Sequence, residues 1–298
     1  AMTSRLRRAR FAANTSRTFD PNDVGYQSRA DQQVIYSSVS RTWDRTWVAF
    51  RNWQWGLEGE LDRDQAGVVF NRYLGGWART DFTNFWSVWL NSGVNLPARD
   101  DRELRAYDDP VKKYLRTETI PFVGVGFDTA GNRPWYLRFD LSRSWHEGGP
   151  STDAGLSQNI KLNSAWEIQI ATSTSRAEGE RKYLETQGTT PVVGLRRLSE
   201  FDQTLRVSYA MNPRLSVQLF SQWLAANWVF RDLKSYVDDN TLAPGATSTD
   251  PAASDRVWNV NLITRWEFLP GSTAFLVYTH GASTDALIND RGTLSPRA

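Results

Sequence analysis

The sequence predicts an all-β protein, namely an antiparallel transmembrane β-barrel of about 14 strands in a bacterial outer membrane. Three observations support this fold class. Apolar and polar residues alternate with a period of two along most of the chain. Short turns and longer polar connections follow each other. The 298 residues include 14 Trp, 10 Tyr and 14 Phe, yet the mean hydropathy is −0.53. A barrel explains this combination, because one face of each strand meets lipid while the other meets the lumen.

The alternation assigns the two faces of each strand. In the segment 53–61, Trp53 and Trp55 share one face, whereas Glu58 and Glu60 share the other. Helical spacing, with apolar residues at i, i+3 and i+4, does not occur in these segments. The residues assigned to the lipid-facing rows are Trp53, Trp55, Leu137, Phe139 and Leu262.

In chain order, the pattern predicts thirteen strands. They span 5–16, 33–43, 47–61, 68–79, 83–96, 119–128, 135–145, 155–163, 165–175, 203–211, 215–227, 256–268 and 273–280. Short turns, assigned to the periplasm, lie at 43–46, 79–83, 129–134, 163–165, 212–214 and 269–272. Long extracellular loops are predicted at 17–32, 62–67, 97–118, 146–155, 176–202 and 228–255, with an extra hairpin at 181–198 inside one of them.

The strand count bears on domain organisation. Single-chain bacterial barrels have an even number of strands, and the tail 291–298 does not resemble a terminal aromatic-ended strand. We therefore expect residues 1–298 to form one barrel domain that is a fragment of a longer protein, and either the final strand is missing or the pattern has missed one strand.

Composition excludes several function classes. The 35 basic and 33 acidic side chains nearly balance, so no basic stripe is expected for nucleic acid. The chain has no Cys and only two His, which argues against thiol chemistry, a His-rich metal site and any cofactor. No apolar run approaches the roughly 20 residues of a membrane helix.

Charged residues on the strand faces opposite the lipid are predicted to line the lumen. They are Glu58, Glu60, Arg138, Asp140, Lys161, Glu167, Arg206, Arg265 and Glu267. Such a lining either attracts a polar solute or pairs internally and fills the barrel. Five acidic against four basic residues predict little ion selectivity. Four bulky residues are expected to narrow the bore, namely Phe85, Trp89, Phe122 and Tyr136.

The aromatic side chains allow two functional interpretations. At strand ends they are predicted to anchor the protein at the membrane interface; these residues are Trp43, Trp47, Trp145 and Trp266. Planar rings also stack on sugars, and Trp228 and Tyr236, beside or within a long loop, are the candidates for glycan contact.

Two further groups of residues are candidates for a metal site or for catalysis, namely the loop carboxylates and one Ser/His grouping. The acidic loops carry Asp100, Asp101, Asp108 and Asp109, and Asp238, Asp239, Asp250 and Asp255, without the spacing of a recognised calcium loop. His146 lies near Ser142 and Ser144, but no hydrolase motif surrounds them. Neither a metal site nor catalysis is expected.

Four segments of the chain resemble a known bacterial family. They are 21–26 (PNDVGY), 201–205 (FDQTL), 213–220 (PRLSVQLF) and 265–273 (RWEFLPGST). The sequence is similar to the C-terminal β-barrel domain of unknown function in outer-membrane-associated proteins that carry an N-terminal family 9 type carbohydrate-binding module. The resemblance implies a compartment and an architecture, but no activity for particular residues.

These observations predict a passive pore or a membrane-embedded scaffold of an envelope or glycan-related assembly. The expected partners are the outer-membrane lipid bilayer, a polysaccharide or other polar solute, and other envelope proteins. One alternative is a glycan-binding β-rich surface module; another is a membrane-embedded hydrolase that would use His146.

Overall fold

A computed structural model describes residues 4–16, 31–100, 102–104 and 113–286 of the chain. These residues form sixteen β-strands and no helix, which confirms the prediction of an all-β antiparallel fold. The described part of the chain contains no helix with the length and hydrophobicity needed to cross a membrane.

The strands are numbered in chain order. They are β1 (Ser4–Thr15), β2 (Gln32–Trp43), β3 (Phe50–Arg63), β4 (Val69–Phe82), β5 (Ser87–Asn95), β6 (Arg99–Asp100), β7 (Leu115–Arg116), β8 (Ile120–Asp128), β9 (Trp135–His146), β10 (Gly149–Lys161), β11 (Trp166–Gln187), β12 (Thr190–Asn212), β13 (Leu215–Asp238), β14 (Thr241–Pro244), β15 (Ala252–Leu269) and β16 (Ser272–Ala286).

Fourteen strands form one antiparallel sheet that follows the order of the chain, except that β5 pairs with β8 and β13 pairs with both β14 and β15. The order is β1-β2-β3-β4-β5-β8-β9-β10-β11-β12-β13-β15-β16, with β14 paired to the far end of β13. A separate two-stranded hairpin consists of β6 and β7. Within the described residues β1 pairs only with β2 and β16 only with β15, so the sheet is not closed. Closure into the predicted transmembrane barrel is therefore not shown.

The short turns lie at one edge of the sheet, and asparagine side chains stabilise several of them. The Oδ1 atom of Asn163 accepts hydrogen bonds from the backbone N–H groups of Ala165 and Trp166, at 2.8 and 3.0 Å. Asn84 and Asn212 accept equivalent bonds from the residue two positions later. This is the turn chemistry that favours Asn between strands, and we call this edge the short-turn edge.

Three of the predicted long loops are wrong. The segment 146–155 contains only a two-residue turn between β9 and β10, and the polar stretches 176–202 and 228–255 continue β11, β12 and β13 far beyond the expected strand ends. The hairpin expected at 181–198 is thus a continuation of the sheet. Ion pairs across the strands, such as Glu180 to Arg196 at 2.8 Å, hold these polar strands together. Because they lack apolar alternation, their sequence resembles a loop.

The sheet can be divided into two regions. The extension comprises residues 178–197 of β11 and β12 together with 229–244 of β13 and β14. The sheet body comprises the remaining parts of the fourteen strands. Residues 17–30, which make up most of the predicted loop 17–32 and contain the segment 21–26, lie outside the described residues, as do Asp101, Asp108 and Asp109.

The register separates apolar from polar side chains across the whole sheet body. Residues paired across strands point to the same side, and the pairings connect the apolar rows of neighbouring strands. The face formed in this way, the apolar face, includes Ile35, Val39, Trp53, Trp55, Leu57, Leu74, Leu90, Val125, Leu137, Phe139, Leu141, Leu156, Ile168, Ile170, Leu205, Val207, Leu219, Trp223, Val260 and Leu262. The opposite face, the polar face, carries most of the charged strand residues.

Candidate functional site

All nine residues predicted to line a lumen lie on the polar face. The register connects Glu58 and Glu60 of β3, Arg138 and Asp140 of β9, Lys161 of β10, Glu167 of β11, Arg206 of β12, and Arg265 and Glu267 of β15 to one side of the sheet. The alternation within each strand therefore assigned them to a common face correctly. Whether that face encloses a lumen depends on closure of the sheet.

The polar face curves around a mouth, which we define as the opening at the edge opposite the short turns. The described residues 96–100, 102–104 and 113–119, together named the mouth segment, extend over this opening. Leu96 N–H donates to the Arg72 carbonyl of β4 at 2.8 Å, and Tyr114 N–H donates to Asp239 beyond β13 at 3.3 Å.

β4 and β13 are seven sheet positions apart, or about 34 Å across a flat sheet. Arg72 of β4 and Asn240 beyond β13 nevertheless line one cavity of about 350 Å³, so the sheet is strongly curved. Another cavity is lined by Asn91 of β5 and Glu200 of β12, both on the polar face, which is therefore the concave one.

Ion pairs attach the mouth segment to the extension. Glu103 accepts hydrogen bonds from Lys182 Nζ at 3.2 Å and from the Tyr183 backbone N–H at 2.8 Å. Glu180 in turn contacts Lys182 at 3.1 Å and Arg196 at 2.8 Å. Burial would raise the pKa of the Glu180 carboxyl, but Lys182 and Arg196 hold it below its ordinary value. Burial would likewise lower the pKa of Lys182, and the carboxylates of Glu180 and Glu103 raise it.

A small apolar core, the mouth core, completes this attachment. Leu104 and Leu115 of the mouth segment pack against Val193 and Tyr236 of the extension, with Leu242 beside them. Leu104 is 1% exposed and Val193 is 0% exposed. The ion pairs and the mouth core together fix the described part of the mouth segment over the polar face.

The two candidates for glycan contact occupy different environments from those expected. Tyr236 belongs to the mouth core and is only 9% exposed, and its hydroxyl donates to Asp239 at 2.7 Å. Burial and the Asp239 carboxylate raise the pKa of Tyr236. Trp228 lies within β13 on the polar face, half-buried, rather than beside a loop. The Tyr236 ring is not available for stacking on a sugar.

A small residue, Gly126, leaves room for one bulky ring on the polar face. Of the four bulky residues expected to narrow the bore, Trp89, Phe122 and Tyr136 do lie on this face. The Trp89 ring lies against the wall, where a side chain at Gly126 would collide with it, and Arg138 covers it at 4.7 Å. Phe85 was assigned wrongly, because it occupies a turn with φ of 68° and is 51% exposed.

Charges on the polar face are separated by height, measured in residues from the short-turn end of each strand. Within six residues of that end lie seven basic residues, Arg5, Arg7, Arg79, Arg138, Lys161, Arg206 and Arg265, and five carboxylates, Asp81, Asp128, Asp140, Glu167 and Glu267. We call this the lower band. Four of its carboxylates contact arginine.

The next zone of the sheet body, seven to fourteen residues from the short-turn ends, contains seven described carboxylates. They are Glu58, Glu60, Asp62, Asp153, Glu200, Asp202 and Asp255, and we call them the acidic belt. Glu180 of the extension lies at the same height but is paired with Lys182 and Arg196. Among the described residues of this zone the polar face carries no Lys or Arg. The nine predicted lumen residues comprise five carboxylates and four bases. That near-balance gives no sign that bases lie in the lower band and unpaired carboxylates in the acidic belt, because this separation depends on position along the strands.

Five members of the acidic belt were not assigned to a strand from the sequence. Asp153, Glu200, Asp202 and Asp255 fell outside strands whose predicted ends were too early or too late. Asp62 was assigned to a loop although β3 continues to Arg63. Correct strand ends, followed by the same alternation rule, would have found all five.

One serine and histidine pair has a third partner in the structure. Ser144 Oγ lies 3.0 Å from His146 Nε2, and Glu118 lies 3.6 Å from His146 Nδ1. Acyl transfer also needs donors for the developing oxyanion. At Ser144, however, the backbone pairs with β8 on one side and β10 on the other, so these groups are already used in the ladder. The contact is better explained as a link between β9 and the mouth segment.

The aromatic residues predicted at the membrane interface lie mostly near the short-turn edge of the apolar face. Trp43 stacks on Trp53 with ring centroids 3.9 Å apart, and Trp266 contacts Phe268 at 5.8 Å. Trp145 is at the opposite end of β9. Trp47 lies in the tight turn before β3 and is 71% exposed, so its assignment to a strand was wrong.

The acidic loops use their described carboxylates for local structure. Asp100 accepts from the N–H groups of Arg102 and Glu103, and Asp238 accepts from that of Asn240. Within the ranges that the structure describes, no three His, Cys, Asp or Glu residues are grouped as metal ligands.

Comparison with known proteins gives one family match. The family model described as a domain of unknown function, DUF5916, matches residues 3–291, which is nearly the whole chain. No curated protein matches the sequence significantly.

Proposed function

We propose that this chain, which belongs to the DUF5916 family of domains of unknown function, forms an outer-membrane β-barrel that acts as a passive pore for polar solutes. The observation that carries the proposal is the exposure of the apolar face. Leu57, Leu74 and Leu90 are 54%, 56% and 49% exposed, in the middle of paired strands. A continuous exposed apolar surface of this kind needs lipid or another protein against it, and a sheet whose backbone groups are paired suits lipid.

The stagger of the strands supports a barrel. Gln54 lies four residues from the short-turn end of β3, and the paired row that includes it reaches Val257, twelve residues from the short-turn end of β15. Nine strand-to-strand steps separate these strands. The register thus shifts by about one residue per strand, which is the stagger that tilted barrel strands require.

The spacing of aromatic residues supports a membrane of ordinary thickness. Trp135 and Trp145 lie at the two ends of β9, both on the apolar face. Ten residues of a strand tilted by about 40° span about 25 Å along the membrane normal, which matches the apolar band of outer-membrane barrels.

A membrane-embedded scaffold for a glycan-related envelope assembly is the second form of this proposal. It would use the same barrel with the mouth segment blocking passage. The resemblance to domains that follow a family 9 type carbohydrate-binding module supports this form.

Two measurements test the proposal on the full chain. We expect the purified protein to need detergent, because its apolar face would otherwise cause aggregation; a monomer at high concentration in plain buffer would contradict the membrane assignment. In planar bilayers we expect stepwise current. A detergent-dependent protein that inserts but carries no current would favour the scaffold over the pore.

A further inference from the structure

We infer that the polar face favours cations, so that the solutes passing along it are inorganic cations and protonated amines rather than anions. This inference rests on the proposed pore and names the class of solute. It depends on the different electrostatic situations of the lower band and the acidic belt.

In the lower band, four of the five carboxylates are paired with three of the seven bases. Arg138 contacts Asp140 at 2.8 Å, and Arg265 contacts Glu267 at 3.8 Å. Arg79 contacts Asp81 at 3.2 Å and Asp128 at 3.9 Å. The bases exceed the carboxylates by two charges, so this band has a small positive excess, which the seven carboxylates of the acidic belt outweigh.

In the acidic belt, the partners of the carboxylates are neutral. Glu58 accepts from the hydroxyl groups of Tyr36 at 2.8 Å and Tyr73 at 3.1 Å, and Asp202 accepts from the Gln222 amide at 2.9 Å. None of the seven carboxylates forms a salt bridge within the described residues. Neutral donors orient a carboxylate without cancelling its charge, so the negative field of the belt acts on the solute.

Two bases of the extension beyond the acidic belt are themselves paired. Lys182 and Arg196 both contact Glu180, while Lys182 also contacts Glu103. These two bases therefore do not compensate the carboxylates of the belt.

A cavity on the polar face offers these carboxylates to a solute together with hydroxyl and amide groups. Its volume is about 400 Å³, and its lining includes Asn91, Asp140, Ser142, Asp153, Ser175 and Glu200. Asp153 has only a 3.5 Å contact with Ser142, and β10, β11 and β12 bring Glu200 to the same cavity through Ser175. Carboxylates beside neutral hydroxyl groups suit a hydrated cation or a protonated amine.

The test is the reversal potential of the full chain in a planar bilayer under a KCl gradient. We expect potassium to permeate at least about threefold better than chloride, as rings of Asp and Glu produce in cation channels. The variant Asp153→Asn with Glu200→Gln should lower this ratio at least about twofold, since it removes two belt charges while preserving side-chain shape. The matched control, Asp44→Asn with Asp250→Asn, removes two exposed carboxylates from loops and should leave the ratio unchanged.

Each outcome has a distinct meaning. Current with no preference for potassium, or with a preference for chloride, would overturn the inference and leave the pore intact. An equal loss of preference in the variant and the control would show that overall charge, not the belt, sets the ratio, and would also overturn it. The absence of current in all proteins, with heat-modifiable folding retained, would overturn the pore itself.

Discussion

The extension continues three strands of the sheet body, β11, β12 and β13, but the apolar side chains of the two regions have opposite environments. In the body, Leu57 and Leu74 are 54% and 56% exposed on the apolar face. In the extension, Val192 and Val193 are 0% exposed, and ion pairs surround the mouth core. A protein in water buries its apolar side chains, so the extension has the arrangement of a soluble domain and the body does not. In the outer-membrane barrel that we propose, the membrane boundary lies at the change between them.

The most damaging change for the extension should be the loss of a side chain from the mouth core. Leu104→Ala is expected to cost about 2–5 kcal/mol in attachment of the mouth segment, because a buried leucine leaves a cavity. Limited proteolysis near Arg102 and Arg116 measures the release. The matched control, Leu74→Ala on the apolar face of the body, should leave these sites protected. Equal cleavage in both variants would mean that the mouth core does not hold the segment.

A charge on the apolar face of the body should have the next largest effect. Leu262→Arg is expected to cost about 2–4 kcal/mol of folding free energy in lipid vesicles, since an arginine would face hydrocarbon. Its neighbour Asn261 lies on the polar face of the same strand. Denaturant titration of Asn261→Arg should show a much smaller loss. If Leu262→Arg and Asn261→Arg lose the same folding free energy, the apolar face of the body does not face lipid, and the contrast with the extension is lost.

Acid should release the mouth segment without unfolding the body. The Glu180 pKa is lower in the folded protein than its ordinary value of 4.5, so its contribution is present above about pH 4.5 and disappears as the pH falls through the lowered pKa. The protection factor of the Tyr183 amide, whose N–H donates to Glu103, corrects its hydrogen exchange for the slower intrinsic rate in acid and should fall about tenfold below that pH. The variant Glu180→Gln should already have a lower protection factor at neutral pH, and an unchanged protection factor in acid would contradict the role of this network.

The smallest effect concerns a single ring pair at the short-turn edge. Trp43→Leu removes the stacking on Trp53, seen at 3.9 Å, while keeping an apolar side chain. We expect a loss of about 0.5–1.5 kcal/mol in folding free energy. Trp47→Leu in the exposed turn is the matched control and should change little. A larger loss for Trp47 would show that the turn, rather than the ring pair, anchors this edge.

Within single strands, much of the arrangement was predictable. The alternation placed Trp53 with Trp55 and Glu58 with Glu60, and the structure has them on opposite faces. This succeeds because side-chain direction in a strand depends only on position along it. The turn at Asn163 was also recognised, since its hydrogen bonds are local.

Strand ends and distant contacts were not predictable in the same way. Glu180 and Arg196 stabilise a polar hairpin that composition identified as a loop, which is why Glu200 was not assigned to the polar face. The contact between Glu103 and Tyr183 joins residues 80 positions apart. No local pattern encodes such a contact, because it depends on how far the sheet curves.

The sequence by itself determined the fold class and the two chemically distinct faces, because a period of two is a property of each strand alone. Only the tertiary structure decided which charges share a height on the polar face and which are compensated. Register and strand length set those relations between strands, and they arise when the hydrogen-bonded ladders form. The same is true of the mouth core, whose side chains come from three distant parts of the chain.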